Sequence, residues 1–152
     1  MIEPTDLFHT GIIVDDPHAV MTRLSALFGY KWGEQIGGPI TVELADGERT
    51  VDLKAWYSTS QPRLEIVESI AGTVWQPSDS GAHHLGYWVA DVAATTDELT
   101  QHGYRVEAVG KRPGGFIYWS YLRPESGPRV ELVSTALRPT MEKYFETGSV
   151  SG

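Results

Sequence analysis

The strongest constraint on what this chain can become is that it carries the same strand-and-helix pattern twice. Sliding His9 onto His84, a shift of 75 residues, lays residues 9–16 (HTGIIVDD) over residues 84–91 (HLGYWVAD), with His, Gly, Val and the final Asp coincident. Both runs are rich in β-branched or aromatic residues and lead directly into a helix signal, so each reads as a strand feeding a helix. In the first helix Asp16 caps, Pro17 takes the first position, and Val20, Leu24, Leu27 and Phe28 form an apolar stripe that stops at Gly29. The second is similar, with Asp91 as cap, Val92, Thr95 and Leu99 facing inward, and Gly103 as the stop.

A second match, at a shift of 66, sets residues 63–69 (RLEIVES) over residues 129–135 (RVELVST) and makes Glu65 the counterpart of Glu131. Between helix and closing strand the first half carries strand-like runs at 31–36, 40–45 and 50–58, with an Asp46-Gly47 turn, and the second carries 104–109 and 116–122 around a loop at 111–115. The expected fold is α+β: two βαβββ repeats forming a curled, mostly antiparallel sheet around a central cavity, with the helices outside. The 152 residues read as a single domain, with repeat one at about 7–70, a linker at 71–82, repeat two at about 83–135 and a C-terminal segment, 136–152, that is partly helical.

Composition removes several function classes. A net charge of −8 without a basic cluster argues against nucleic acid as a partner. The absence of cysteine excludes disulfides and thiolate metal sites. No run approaches the ~20 apolar residues that span a bilayer, and the acidic start has no leader character, so the expectation is a soluble, cytoplasmic protein with no membrane partner.

Alternate residues of a strand share a face, so a His opening one strand and a Glu in a neighbouring strand converge when both point into the concavity. Two repeats supply two such pairs. His9, Glu65, His84 and Glu131 would then offer two imidazoles and two carboxylates to one divalent ion, a set suited to Zn, Ni, Co, Mn or Fe and poorly suited to Ca. His83 falls on the opposite face by alternation and reads as structural. Gly11 and Gly86, two residues after each His, leave room for a ligand or backbone or mark a bend. Arg63 and Arg129 read as partners of surface acids. Trp56, Trp88, Tyr118, Trp119 and Tyr121 supply aromatic surface for core or for an apolar pocket.

These paired starts and ends resemble the vicinal oxygen chelate superfamily of glyoxalase I, methylmalonyl-CoA epimerase, extradiol dioxygenases and bleomycin-resistance proteins, over about residues 7–135. The resemblance implies His9, Glu65, His84 and Glu131 as the metal ligands. It also implies proton transfer next to a metal-chelated carbonyl, through an enolate or enediolate, by a divalent-metal-dependent isomerase or lyase of epimerase or glyoxalase type acting on a small-molecule substrate. Glu131 would serve as the catalytic base, and Asp52 stands near where the epimerases place a second carboxylate. Glu65 resembles bacterial glyoxalase I, where epimerases have Gln and extradiol dioxygenases have no ligand. The alternatives are a non-haem Fe(II) extradiol-type dioxygenase and a metal-free ligand-binding or antibiotic-sequestering protein. An open-edged duplicated sheet of this kind also implies a homodimer, with each metal site either inside one chain or shared between two.

Overall fold

The computed structural model describes residues 1–151; Gly152, at the end of the C-terminal segment, lies outside the described residues. Each repeat follows the same path: β1 (Leu7–Val14), α1 (Pro17–Phe28), β2 (Ile36–Leu44), β3 (Gly47–Tyr57) and β4 (Leu64–Glu68), then β5 (His84–Val89), α2 (Val92–Gln101), β6 (Arg105–Lys111), β7 (Ile117–Arg123) and β8 (Val130–Ser134). A third helix, α3 (Arg138–Thr147), ends the fold. The helix starts follow the local chemistry: the Asp16 carboxylate accepts from the Ala19 amide and the Asp91 carboxylate from the Ala94 amide, and Gly29 closes α1 in the left-handed region.

The eight strands form one closed barrel in the order β1-β4-β3-β2-β6-β7-β8-β5. Only the pairs β1/β4 and β5/β8 are parallel, so the opening and closing strands of each repeat lie side by side. The repeats meet along two antiparallel seams, β1/β5 and β2/β6. Closure departs from the open-edged sheet expected from sequence. The edge strands of the two halves satisfy each other, so among the described residues the barrel has no unpaired strand edge.

Strand alternation sorts the core into two layers. Ile13, Val42, Val51, Ala55, Val67, Trp119 and Tyr121 fill the inside, joined by Trp75 from the segment between the repeats. On the outside, α1 covers Trp56 and Ile66 with Val20, Met21 and Leu24, while α2 lays Val92 and Leu99 against Leu122 and Leu132. Leu27 and Phe28, the expected end of the α1 stripe, are instead exposed (69% and 70%) and take no part in that packing. The expected strand at 31–36 also fails to form: only Trp32 bridges, to Ser58, because its indole turns toward α1 and donates to the Met21 carbonyl and Ser25 Oγ.

Helix α3 is pinned across one end of the barrel. The Tyr144 ring, fully buried, packs where Gly33 has no side chain, and its hydroxyl donates to the Glu34 carbonyl (2.6 Å) while accepting from the Tyr57 amide (3.3 Å). Phe145 beside it stacks on the Arg63 guanidinium at 3.8 Å. Tyr144→Phe strands both backbone groups in a dry site, so urea denaturation is expected to show a loss of about 1–3 kcal/mol; a loss below the error of the fit would show that α3 is held by apolar contact alone.

Candidate metal centre

The β1/β5 seam sets His9 opposite Gly86 and Gly11 opposite His84. A Cβ on Gly86 would overlap the His9 ring, and a Cβ on Gly11 would overlap the His84 ring. The room left by each glycine is thus taken by the imidazole of the other repeat. The parallel pairs add the acids at the same level, since Gly11 aligns with Glu65 and Gly86 with Glu131. One crossing of four strands therefore brings all four side chains together, within a single chain.

His9, Glu65, His84 and Glu131 are each no more than 8% exposed, and their donor atoms all lie within 4.8 Å of one another. The two imidazole Nε2 atoms stand 3.0 Å apart. Glu65 Oε1 lies 3.1 Å from His84 Nε2 and 3.4 Å from His9 Nε2, and Glu131 Oε1 lies 3.2 Å from His9 Nε2 and 3.4 Å from His84 Nε2. Despite that proximity Glu131 Oε1, buried, makes no aligned hydrogen bond and meets the two imidazoles by charge alone. Four lone-pair atoms aimed at one point, one of them without a donor, fit a divalent cation held by nitrogen and oxygen.

His83 is not the opposite-face residue that alternation suggests. It precedes β5, is buried, and hydrogen-bonds to the ring of His84. Burial, with the neighbouring His84 and Arg129, pushes it down to about 3, so its ring is neutral. Its Nε2–H donates to the Val74 carbonyl (2.8 Å), which leaves its Nδ1 as an acceptor for Nδ1–H of His84 (2.8 Å). That bond holds the His84 proton on Nδ1 and presents Nε2 to the cluster, the support a ligating imidazole needs. The first repeat lacks the device. Phe8 takes the equivalent place, edge-on to the His9 ring at 4.4 Å, and His9 Nδ1 is buried without a partner.

Electrostatics in the cluster are dominated by mutual compensation. Burial opposes charge on His9, but Glu131 and Glu65 outweigh it and raise the imidazole to about 9; His84 is raised in the same way. Burial likewise opposes the carboxylates, and the two histidines overcome it, holding Glu65 and Glu131 below the ordinary range. Two tyrosines flank the acids in matching register, Tyr57 opposite Glu65 and Tyr121 opposite Glu131. Burial and then the nearby carboxylates raise both phenols well above 10, so they remain O–H donors.

Glu65, Glu131 and the two phenols face a cavity of about 600 Å³ inside the barrel. Tyr118 and Trp119 line it as the sequence suggests, whereas Trp56 sits outside under α1 and Trp88 stacks on Phe8. Asp52 is corrected. Val51, Leu53, Ala55 and Tyr57 take the inward positions of β3, so Asp52 projects outward and is exposed, away from the cavity. Arg129 pairs with Glu107 at 2.7 Å, as expected of a partner to a surface acid, and also donates to the His83 carbonyl. Tyr57, Trp75 and His83 escaped the sequence reading as site residues. An aromatic upstream of the closing Glu in both halves was the available signal for Tyr57.

A family model for the Glyoxalase/Bleomycin resistance protein/Dioxygenase superfamily matches residues 8–121. Among solved structures, a methylmalonyl-CoA epimerase from Mycobacterium tuberculosis has 15% identity and a TM-score of 0.54, over 88% of this chain and 92% of that one. A variant methylmalonyl-CoA epimerase from Streptomyces coelicolor, in complex with 2-nitronate-propionyl-CoA, has 19% identity and a TM-score of 0.57, over 85% and 96%. A hypothetical protein from Bacillus halodurans C-125 has 17% identity and a TM-score of 0.53, over 84% and 92%. At these identities the likeness is one of fold. No curated protein matches the chain.

Two expectations follow. The His9 pKa rises on folding, so its contribution to stability is complete below about pH 6.5 and is lost as the pH climbs through about 9. Chelator-treated protein should melt at progressively lower temperature across that window while its affinity for added Zn²⁺ rises, because a metal must displace the same proton; a flat melting profile would rule out the protonated pair. Second, His83→Leu should weaken Zn²⁺ binding by about ten- to hundredfold in competition with a chromophoric chelator. His83→Gln, whose carbonyl accepts from His84 Nδ1–H, should recover part of the loss, and equal affinity in all three proteins would remove His83 from the site.

Proposed function

The chain belongs to the glyoxalase/bleomycin resistance protein/dioxygenase superfamily, and from that premise we propose that it is a divalent-metal-dependent isomerase or lyase, moving a proton on carbon beside two adjacent oxygens of a small substrate. The observation that carries the reading is the convergence of His9, Glu65, His84 and Glu131 donor atoms within 4.8 Å, with both glutamates lining a cavity. These four residues would hold the ion. When bound, a divalent ion supplies positive charge that two neighbouring substrate oxygens can share, which lowers the cost of removing the proton next to them.

The protein's own groups do the rest. Glu131 lines the cavity as well as the cluster, so its carboxylate is the group we assign to accept the proton and return it. Tyr57 and Tyr121 keep their protons and donate toward charge that develops on substrate oxygen. With Asp52 outside the cavity, the carboxylates lining it among the described residues are Glu65 and Glu131. One carboxylate that takes and redelivers a proton on adjacent carbons supports the glyoxalase type. Epimerisation instead calls for an acid on the opposite face, a place that only Glu65 or a phenol can fill. Glu65, aimed at both imidazoles, weighs against the three-ligand dioxygenase arrangement.

The test combines metal analysis with proton exchange. Protein purified without a histidine tag should carry stoichiometric divalent metal by elemental mass spectrometry. With that metal, epimerase and glyoxalase substrate panels in D₂O should reveal one compound whose C–H signal exchanges by NMR. Glu131→Gln should slow that exchange by at least about a hundredfold. Wild-type protein that refuses Zn, Co, Ni, Mn and Fe would end the enzymatic reading and leave a ligand-binding protein.

A further inference from the structure

We infer that the substrate is a compact, ring-bearing molecule with its paired oxygens at one end and an anionic group at the other, and that it is not a coenzyme A thioester. Only the oxygen-bearing end of this inference rests on the proposed metal-dependent reading.

The cavity has a polar end, an apolar middle and a cationic mouth. At the inner end stand Glu65 and Glu131 with their flanking phenols. The middle is bounded by the indoles of Trp75 and Trp119 and by aliphatic Ile40, Leu53 and Val67. Such a wall rewards an apolar ring, whose faces and edges it can contact without stranding a polar group. At the mouth, Arg112 is exposed, lies over the Tyr118 ring at 4.7 Å, and is the only Lys or Arg among the described residues lining the cavity.

Strand β7 acts as the ruler between the two ends. It runs from Tyr121, opposite Glu131, to Ile117, opposite Lys111 and next to Arg112. Those four steps span about 13 Å. A single six-membered ring with a chelating head and a short anionic arm bridges that distance once the Arg112 and glutamate side chains reach inward.

A coenzyme A thioester fits these features poorly. Its pantetheine arm would bring two amides and a hydroxyl past walls whose uncharged polar side chains, phenols and indole N–H groups aside, are Gln35 and Thr140. Amides left without partners in an apolar channel are costly. Beyond the mouth its several phosphates would meet one arginine on a chain of net charge −8.

The test uses hydroxamates, whose adjacent oxygens chelate without reacting, read by quenching of the wall tryptophans in Zn²⁺-loaded protein. Benzohydroxamate should bind at least about tenfold more tightly than acetohydroxamate, from burial of the ring. 4-Carboxybenzohydroxamate should gain about a further threefold, a gain lost in Arg112→Gln. Equal binding of the acetyl and benzoyl probes, or tighter binding of methylmalonyl-CoA than of either ring probe, overturns the inference. An unchanged advantage for the carboxylated probe in Arg112→Gln overturns its anionic end. Parallel titrations of acetate, benzoate and terephthalate on metal-free protein separate the two claims. If they show the same ring and Arg112 dependence while metal changes no hydroxamate affinity, the cavity inference stands and the metal-dependent reading falls.

Discussion

Each histidine of the central cluster has space for its ring only because the other repeat has a glycine directly across the seam. That exchange, His9 over Gly86 and His84 over Gly11, ties the approach of β1 and β5 to the position of the donor atoms. Any widening of the seam would separate the imidazoles, and any side chain at either glycine would displace one of them. The parallel neighbours β4 and β8 then need only their own register to bring Glu65 and Glu131 to the same level. Barrel closure and site assembly are thus one geometric event, with the apolar inner layer holding the seam shut.

Burying four ionisable groups at one point is tolerable because their charges cancel. The carboxylates raise the imidazoles and the imidazoles lower the carboxylates, so each pays back part of the other's desolvation. The near-symmetry stops at the ring nitrogens facing away from the cluster. His84 is oriented through His83 and the Val74 carbonyl, while His9 rests against the hydrocarbon of Phe8. The two donors are therefore unequal, with His84 held in one tautomer and His9 free of any such directing bond.

Much of this was legible in the chain. The shifts of 75 and 66 residues disclose the opening and closing strands, both helices and the four residues that meet, because the repeat preserves strand parity around each of them. Asp52 shows the cost of setting position ahead of parity: the alternation Val51, Leu53, Ala55 against Asp52, Lys54 already turned that carboxylate outward. His83 was misjudged for a different reason. Alternation applies inside a strand, and His83 stands just before one, where the backbone is free to bring its ring beside its neighbour's. Closure of the barrel and the inward placement of Trp75 depend on contacts between distant segments, which periodicity does not encode.

The crossing of His and Gly between halves carries a consequence for what one repeat could do alone. A chain of one repeat would own a histidine with no notch to receive it and a notch with no histidine to fill it. Two such chains, meeting through the antiparallel pairing that joins β1 to β5, would satisfy both needs at once. The molecule is in that sense a pair of half-length partners written into one polypeptide, and Phe8 and His83 mark where the two halves differ.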